Sequence, residues 1–541
     1  MDSRERRRTA AILLVCLTAI LLLTASGRTT PGDEEALYRV TRNLIEWGDL
    51  AVENEALTLP ARIEPGFLPR RDWPFLAAYP PLPGRDGRTY SRYGPGQSLA
   101  GAPFYLLSRL LALTAKGQPA QLFAKLSISL LNPLCTAATG ALLYALARSL
   151  GWQHRTGLIA ALAYTLTTMA CAYSKTFFTQ PGATCCVVAA AYAARRFRLG
   201  HGDRWLLASG TALGAMLLLR NMAVIALPAF ALYLAPSAWR RPARLRRALV
   251  FGAPLAGALL FNAAYTWLRF GDFFGLNYPE VTADQALVYG LYGLLFSPGK
   301  SFFLYNPAVL AGLVGLAAMV MQGHRAEAML AGLLFLTYLL LHAPLNIWHG
   351  GWNWGPRYLL PALPLLVLPA GALLEAPRVR GAKMLLVALC LLGLGIQMPA
   401  VLVDHSRHMI GLWERYPDDF YNRSLLEPSL SPLVGQWPAA LEILGMYRHA
   451  ETWQAARLAL AETSLPAEAW PASEANRISD EILLREEFLR LNAPDFWWLH
   501  LPLLGLSPWP GAAIAAGLLV VAVVSGRRLL RQATYEAKPQ K

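Results

Sequence analysis

Pro31-Gly32-Asp33-Glu34-Glu35-Ala36-Leu37-Tyr38 stands just past the first apolar run of the chain, Thr9 to Thr24. Three consecutive carboxylates at the mouth of a membrane helix are costly unless they face water, a cation or a polar substrate. The run before them falls slightly short of the roughly 20 residues a span requires, and Arg4-Glu5-Arg6-Arg7-Arg8 gives it a basic front. Two readings fit this stretch alone. One is a secretory signal peptide cut near Ala25-Ser26-Gly27 with a solvated loop behind it; the other is a retained first span with an acidic site at its outer end.

Composition bounds the choice. The 541 residues are 55% apolar and 15% charged, with a mean hydropathy of +0.35, whereas ordinary globular domains carry about 25% charge. Long apolar runs recur throughout, so the sequence reads as an all-α polytopic membrane protein; the short alternating segments of an outer-membrane barrel are absent. The net charge of +15 sits at the ends of apolar runs, which is how topology is set, so nucleic acid is excluded as a partner and the lipid bilayer is expected. The six cysteines (Cys16, Cys135, Cys171, Cys185, Cys186, Cys390) lie within apolar segments and read as small buried hydrophobes.

Apolar periodicity predicts about twelve spans. After the first come approximately 121–147, 156–173, 182–194, 205–219, 222–238, 248–267, 307–321, 328–345, 358–374, 384–402 and 510–526. Asp33 to Asp49 reads as a short amphipathic helix within a first outer loop, 26–97, and residues 98–115 as an interfacial helix. The short loops then assigned inside hold Arg195-Arg196-Phe197-Arg198, Arg240-Arg241, Arg244, Arg246-Arg247, Arg378 and Arg380, and Arg527-Arg528 follows the last span. Those assigned outside hold Lys175, Arg220, Arg269, Lys300 and Arg357. That asymmetry places the amino terminus in the cytoplasm and the Asp33 loop outside, and it disfavours a cleaved first run. The chain thus divides into a transmembrane region, 1–402, an extracytoplasmic segment, 403–508, and a last span with a basic cytoplasmic tail, 509–541. Within the segment, Pro438 to Ala461 and Ser473 to Leu491 read as helical, and Phe496-Trp497-Trp498 as an interfacial anchor.

The unusual polar motifs fall on the outer side. They include Tyr90-Ser91-Arg92-Tyr93-Gly94-Pro95-Gly96-Gln97, the loop around Lys175, Ser297-Pro298-Gly299-Lys300-Ser301, and Trp348-His349-Gly350-Gly351-Trp352-Asn353-Trp354-Gly355-Pro356-Arg357-Tyr358. Isolated basic residues at helix ends commonly snorkel to the interface, but Arg92, Lys175, Lys300 and Arg357 stand where the topology rule disfavours them and together suit an anion. A carboxylate facing such a cluster can take a proton from an acceptor hydroxyl while the cations stabilise a departing phosphate. Tyr93, His349, Trp352, Trp354 and Tyr358 supply rings for a sugar or acceptor, the alternative being an interfacial belt.

These residues resemble a family. A first helix, an outer loop opening with an Asp-Glu pair, an interfacial helix and about ten further spans look like the GT-C glycosyltransferases, which include protein O-mannosyltransferases and lipid A aminoarabinose transferases. The resemblance implies an inverting transfer from a polyprenyl-phosphate-linked sugar to an extracytoplasmic glycan, lipid or protein, at the outer face of the inner membrane. It implies Asp33 as general base and Glu34 as the residue orienting it or the acceptor. Two departures stand out: Gly94-Pro95-Gly96 replaces the usual double proline, and Gln180 stands where many members place an acid. The second leaves open whether a divalent cation bridges the two loops; no other cofactor is expected. The rival reading is a transporter or flippase of a lipid-linked or anionic solute, which should carry ionisable residues at mid-membrane. The spans are nearly free of carboxylates, which favours the transferase.

Overall fold

The structure is a computed structural model that describes residues 3–52, 81–111, 118–238, 243–273, 278, 280–375, 380–462 and 474–535. Arg240, Arg241 and Arg378 of the basic loops, 53–80 of the first outer loop and 112–115 of the expected interfacial helix lie outside the described residues.

The chain is a helical membrane protein. It opens with α1 (Ser3–Leu23) and α2 (Asp33–Trp47), followed by a small antiparallel pair, β1 (Leu82–Pro83) and β2 (Thr89–Tyr90). Then come α3 (Gly96–Leu111), α4 (Gln118–Ile128), α5 (Leu131–Ser149), α6 (His154–Thr167), α7 (Met169–Tyr173), α8 (Thr179–Arg198), α9 (Asp203–Leu219), α10 (Leu227–Ala238) and α11 (Arg244–Phe270). The second half adds α12 (Leu287–Phe296), α13 (Phe302–Tyr305), α14 (Ala308–Met321), α15 (Arg325–His342), α16 (Leu363–Val367), α17 (Ala370–Glu375) and α18 (Arg380–Leu402). Six of the described helical stretches are long and apolar enough to cross a bilayer: Pro119–Ser149, Arg244–Phe270, Arg325–His342, Arg357–Glu375, Gly381–Leu402 and Pro508–Thr534. Helices stand at every expected position, and α12 is an addition that the sequence reading placed in a loop.

Several expected helices are broken, among them 121–147, which is α4 and α5, and 358–374, which includes α16 and α17. The 156–173 stretch ends α6 at Thr168, whose extended backbone (φ −124°) lets its hydroxyl accept the Ala170 amide at the start of α7. Asn306 closes the same gap by accepting the Met169 amide at 2.9 Å. Pro438 to Ala461 is likewise two helices rather than one.

The 403–508 segment comprises α19 (Ser406–Arg415), α20 (Phe420–Leu426), α21 (Pro432–Met446), α22 (Ala450–Glu462), α23 (Glu474–Asn492) and α24 (Trp497–Leu503), ahead of α25 (Pro508–Tyr535). It folds back on the first outer loop. Arg28 pairs with Asp404 at 2.8 Å and Asp495 at 2.9 Å. The indoles of Trp497 and Trp498 donate to the carbonyls of Leu22 and Leu23 at 2.9 and 3.0 Å. The paired tryptophans therefore satisfy the open carbonyl end of α1, a role that an anchor reading did not anticipate. The last helix packs along α1, so the two ends of the chain share one side of the bundle. All six cysteines are unpaired, as their apolar settings suggested.

Candidate functional site

The three acids of the opening stretch form the first turn of α2, where a helix N-terminus favours negative charge. Gly32, at φ 85°, turns the chain into that helix. Each residue along a helix rotates the side chain by about 100°, and the three carboxylates accordingly face three different environments.

Asp33 is 19% exposed and pairs with Arg357 at 3.0 Å through one oxygen. The Tyr93 hydroxyl donates to its other oxygen. Arg357 lies over Phe178 and Tyr358 (5.1 and 5.3 Å to the ring centroids), and its buried Nε has no hydrogen-bond partner among the described residues. Tyr358 is stacked on His342 at 4.7 Å. Over its ring, at 5.4 Å, stands Arg220, a half-buried guanidinium with no carboxylate partner among the described residues. Tyr93 meets Tyr278 edge-on at 6.1 Å, and Arg92 lies over Tyr278 while pairing with Glu280. Arg269 donates to the carbonyls of Ser91 and Tyr93, holding the strap that carries the tyrosine.

Glu34 faces away from this group. It is fully buried, one oxygen accepting the Thr30 amide at 3.1 Å. It lines a cavity of about 40 Å³ together with Arg28, Lys175, Asp404, His405 and Asp495, room for about three waters. Burial pushes its carboxyl up to about 8, against the Phe177 amide and the Arg28 charge, which pull the other way. Among the described residues Glu34 makes no hydrogen bond to Asp33, whereas its expected alternative, orienting the acceptor, is compatible with its place on this cavity.

Glu35 faces inward to a closed ionic cluster. Lys125 bonds Glu35 at 2.8 Å and Glu486 at 2.7 Å, and Arg39 joins Glu35 at 2.9 Å and also pairs with Asp480. Burial alone would raise the Glu35 carboxyl, but Lys125 and Arg39 beside it hold it at about 2.

The four expected phosphate-binding cations face different partners. Arg357 reaches Asp33, and Arg92 stands one tyrosine away. Lys175 is buried against Asp495 at 2.9 Å and donates to the Asp495 and Val401 carbonyls. Lys300 is buried among carbonyl oxygens. The rings divide in the same way. Tyr93 and Tyr358 line the Asp33 group, whereas His349 packs on Tyr421 at 4.5 Å, Trp352 on Phe420 at 4.6 Å, and Trp354 on Tyr305 at 5.0 Å with its indole on Gln397. These three rings pack the 348–358 loop against the rest of the protein, with Trp354 buried and His349 and Trp352 half-buried. Sequence reasoning missed Arg220, Arg269 and Tyr278. Arg220 and Arg269 had been visible as basic residues on the disfavoured side, but nothing local marked them.

A bridging divalent cation does not suit these residues. Among the described residues no three His, Cys, Asp or Glu side chains are grouped to hold a metal, Gln180 offers a neutral oxygen, and Asp33 already faces a guanidinium.

Residues 120–267, from α4 to α11, match the family model described as dolichyl-phosphate-mannose-protein mannosyltransferase. The chain resembles the GT-C glycosyltransferases. Solved structures similar to it include ArnT from Cupriavidus metallidurans in the apo state, at 13% identity and a TM-score of 0.49, covering 89% of this chain and 77% of that one. The archaeal oligosaccharyltransferase AglB from Archaeoglobus fulgidus, solved with an inhibitory peptide and a dolichol-phosphate, has 14% identity and a TM-score of 0.43, covering 81% and 64%. No curated protein sequence matches the chain.

Proposed function

We propose that the chain transfers a sugar, with inversion, from a polyprenyl-phosphate donor to a hydroxyl-bearing acceptor at the outer face of the membrane. The observation that carries this reading is the Asp33–Arg357 pair at 3.0 Å, part-open and flanked by Arg220, which has no acid partner among the described residues. A part-open carboxylate next to the unpartnered Arg357 Nε–H and a second guanidinium combines a base with an anion seat. The acceptor oxygen forms a bond to the anomeric carbon as its proton passes to Asp33. The bond from that carbon to the phosphate oxygen breaks, and the electron pair leaves with the phosphate. Arg220 and the Arg357 Nε–H stabilise the charge that develops there. Phosphate departs without help from an acid, so one carboxylate suffices, in contrast to the two of a glycosidase. The Asp33 loop then lies outside and the amino terminus in the cytoplasm, as the arginine distribution requires.

The test is to incubate the purified protein with a panel of radiolabelled polyprenyl-phosphate sugars and an acceptor mixture. One donor should be consumed with release of polyprenyl phosphate by the wild type and not by Asp33→Asn. Passage of intact lipid-linked sugar across liposomes with no phosphate released would replace the transferase by a flippase.

A further inference from the structure

Lys300 was expected to hold substrate phosphate, and its surroundings argue against that. Its side chain is 1% exposed and has no carboxylate partner among the described residues. Burial together with the nearby Arg357 charge pulls its ammonium well below the ordinary lysine range, so only the dipoles around it favour the proton. The ammonium donates to the carbonyl oxygens of Gly351 at 2.9 Å, of Asn353, and of Gly355 at 3.4 Å. An ammonium has three N–H donors, and three carbonyls use all of them, leaving none for an anion.

The loop around it is built to converge on a cation. Gly350, Gly351 and Gly355 have φ of 71°, 76° and 62°, the left-handed region that glycine enters without cost. Asn353 ties the turn by donating to the Gly350 carbonyl at 2.7 Å, and His349 Nδ1 accepts the Gly351 amide at 3.0 Å. Inward-facing carbonyl dipoles repel one another unless a positive charge sits among them. The Gly355 carbonyl that meets Lys300 also accepts the Arg357 amide at 3.1 Å. The ammonium is thus one shared carbonyl from the backbone of the arginine that grips Asp33.

We infer that Lys300 acts as a tethered internal cation that folds the Gly350–Gly355 loop around itself and thereby sets Arg357 against Asp33. It is a positioning residue, and its role rests on the reading of Asp33 and Arg357 given above. Removing the side chain should leave a carbonyl-lined hole suited to a small monovalent cation such as ammonium.

The experiment compares wild type, Lys300→Ala, Lys300→Met and Arg357→Ala in detergent, following donor turnover and hydrogen exchange of the 350–357 amides. Lys300→Ala should lose kcat by at least about tenfold with little change in donor KM, and its loop amides should lose protection. Ammonium chloride should restore both saturably, while tetramethylammonium chloride at equal ionic strength should restore neither. Lys300→Met, whose side chain fills the hole, should not be rescued. Arg357→Ala should lose turnover yet keep its loop protection. A Lys300→Ala protein with intact loop protection and a raised donor KM at unchanged kcat would make Lys300 a direct phosphate ligand and overturn the inference. So would equal rescue by both salts. If the wild type consumes no polyprenyl-phosphate sugar, the functional reading fails, and the exchange measurements still decide the loop. Should Lys300→Ala fail to fold, Lys300→Arg takes its place in exchange: its planar fork cannot meet three converging carbonyls, so loop protection should fall, and full protection would overturn the inference.

Discussion

Asp33 and Glu35 are two residues apart on one helical turn, yet they occupy opposite kinds of site. Among the described residues the ionic groups around Asp33 are incompletely matched: an arginine with a spare N–H, a second guanidinium with no acid, and a carboxylate partly open to solvent. Around Glu35 each ionic group has a buried partner, with Lys125 at 0% exposure between two glutamates and Arg39 between Glu35 and Asp480. An unmatched, accessible cluster can bind and react; a matched, closed one can only hold α2, α4 and α23 together. The comparison separates chemistry from scaffolding more sharply than residue type does, since both sites are built from carboxylates and cations.

Four variants test that separation. Asp33→Asn should reduce transfer by about 10²–10⁴-fold, the range of a general base, with unchanged thermal unfolding; a variant that turns over normally would make Asp33 part of the scaffold. Lys125→Met should act on stability instead. Leaving Glu486 without its cation, and Glu35 with Arg39 alone, should cost about 3–5 kcal/mol, read as a lowered denaturation midpoint, and adding Glu486→Gln should recover part of it. Arg220→Gln should lower kcat/KM by about 10²-fold without shifting the melt. Tyr93→Phe, which removes one hydrogen bond to Asp33, should cost about tenfold in kcat.

The two buried glutamates should also respond to pH with opposite sign. The folded-state pKa of Glu34 is raised from the ordinary 4.5 to about 8. The stability this gives is fully present below about 4.5 and declines as pH rises toward 8, so Glu34→Gln should flatten the melt profile over that window. Glu35 is depressed to about 2. Its contribution is present above 4.5 and lost as pH falls toward 2, so Glu35→Gln should flatten the acid limb. Identical profiles for the two variants would mean that the face-by-face division of α2 is wrong.

The segment after residue 403, which the sequence left without a role, takes part in both regions. Its α23 supplies Glu486 and Asp480 to the closed cluster. Its α20 supplies Phe420 and Tyr421 to pack Trp352 and His349, and the Leu425 carbonyl accepts the Gly299 amide at 3.0 Å, so the segment braces both loops that meet at Lys300. Polar helices with no apolar run to mark a span gave no hint of this, because their partners lie hundreds of residues away.

The amino-acid order by itself determined the membrane character, most of the helix positions, the asymmetric arginine distribution and the acidic turn that opens α2. These follow from hydropathy and local propensity, which act over a few residues. Tertiary structure alone decided that Asp33 meets Arg357, that Lys175 is spent on Asp495, that Lys300 is enclosed by carbonyls, and that Arg220 is left over. A buried charge takes whichever counter-charge or dipole the fold brings within about 4 Å. In this chain those partners come from loops that only the packing of the helices places side by side.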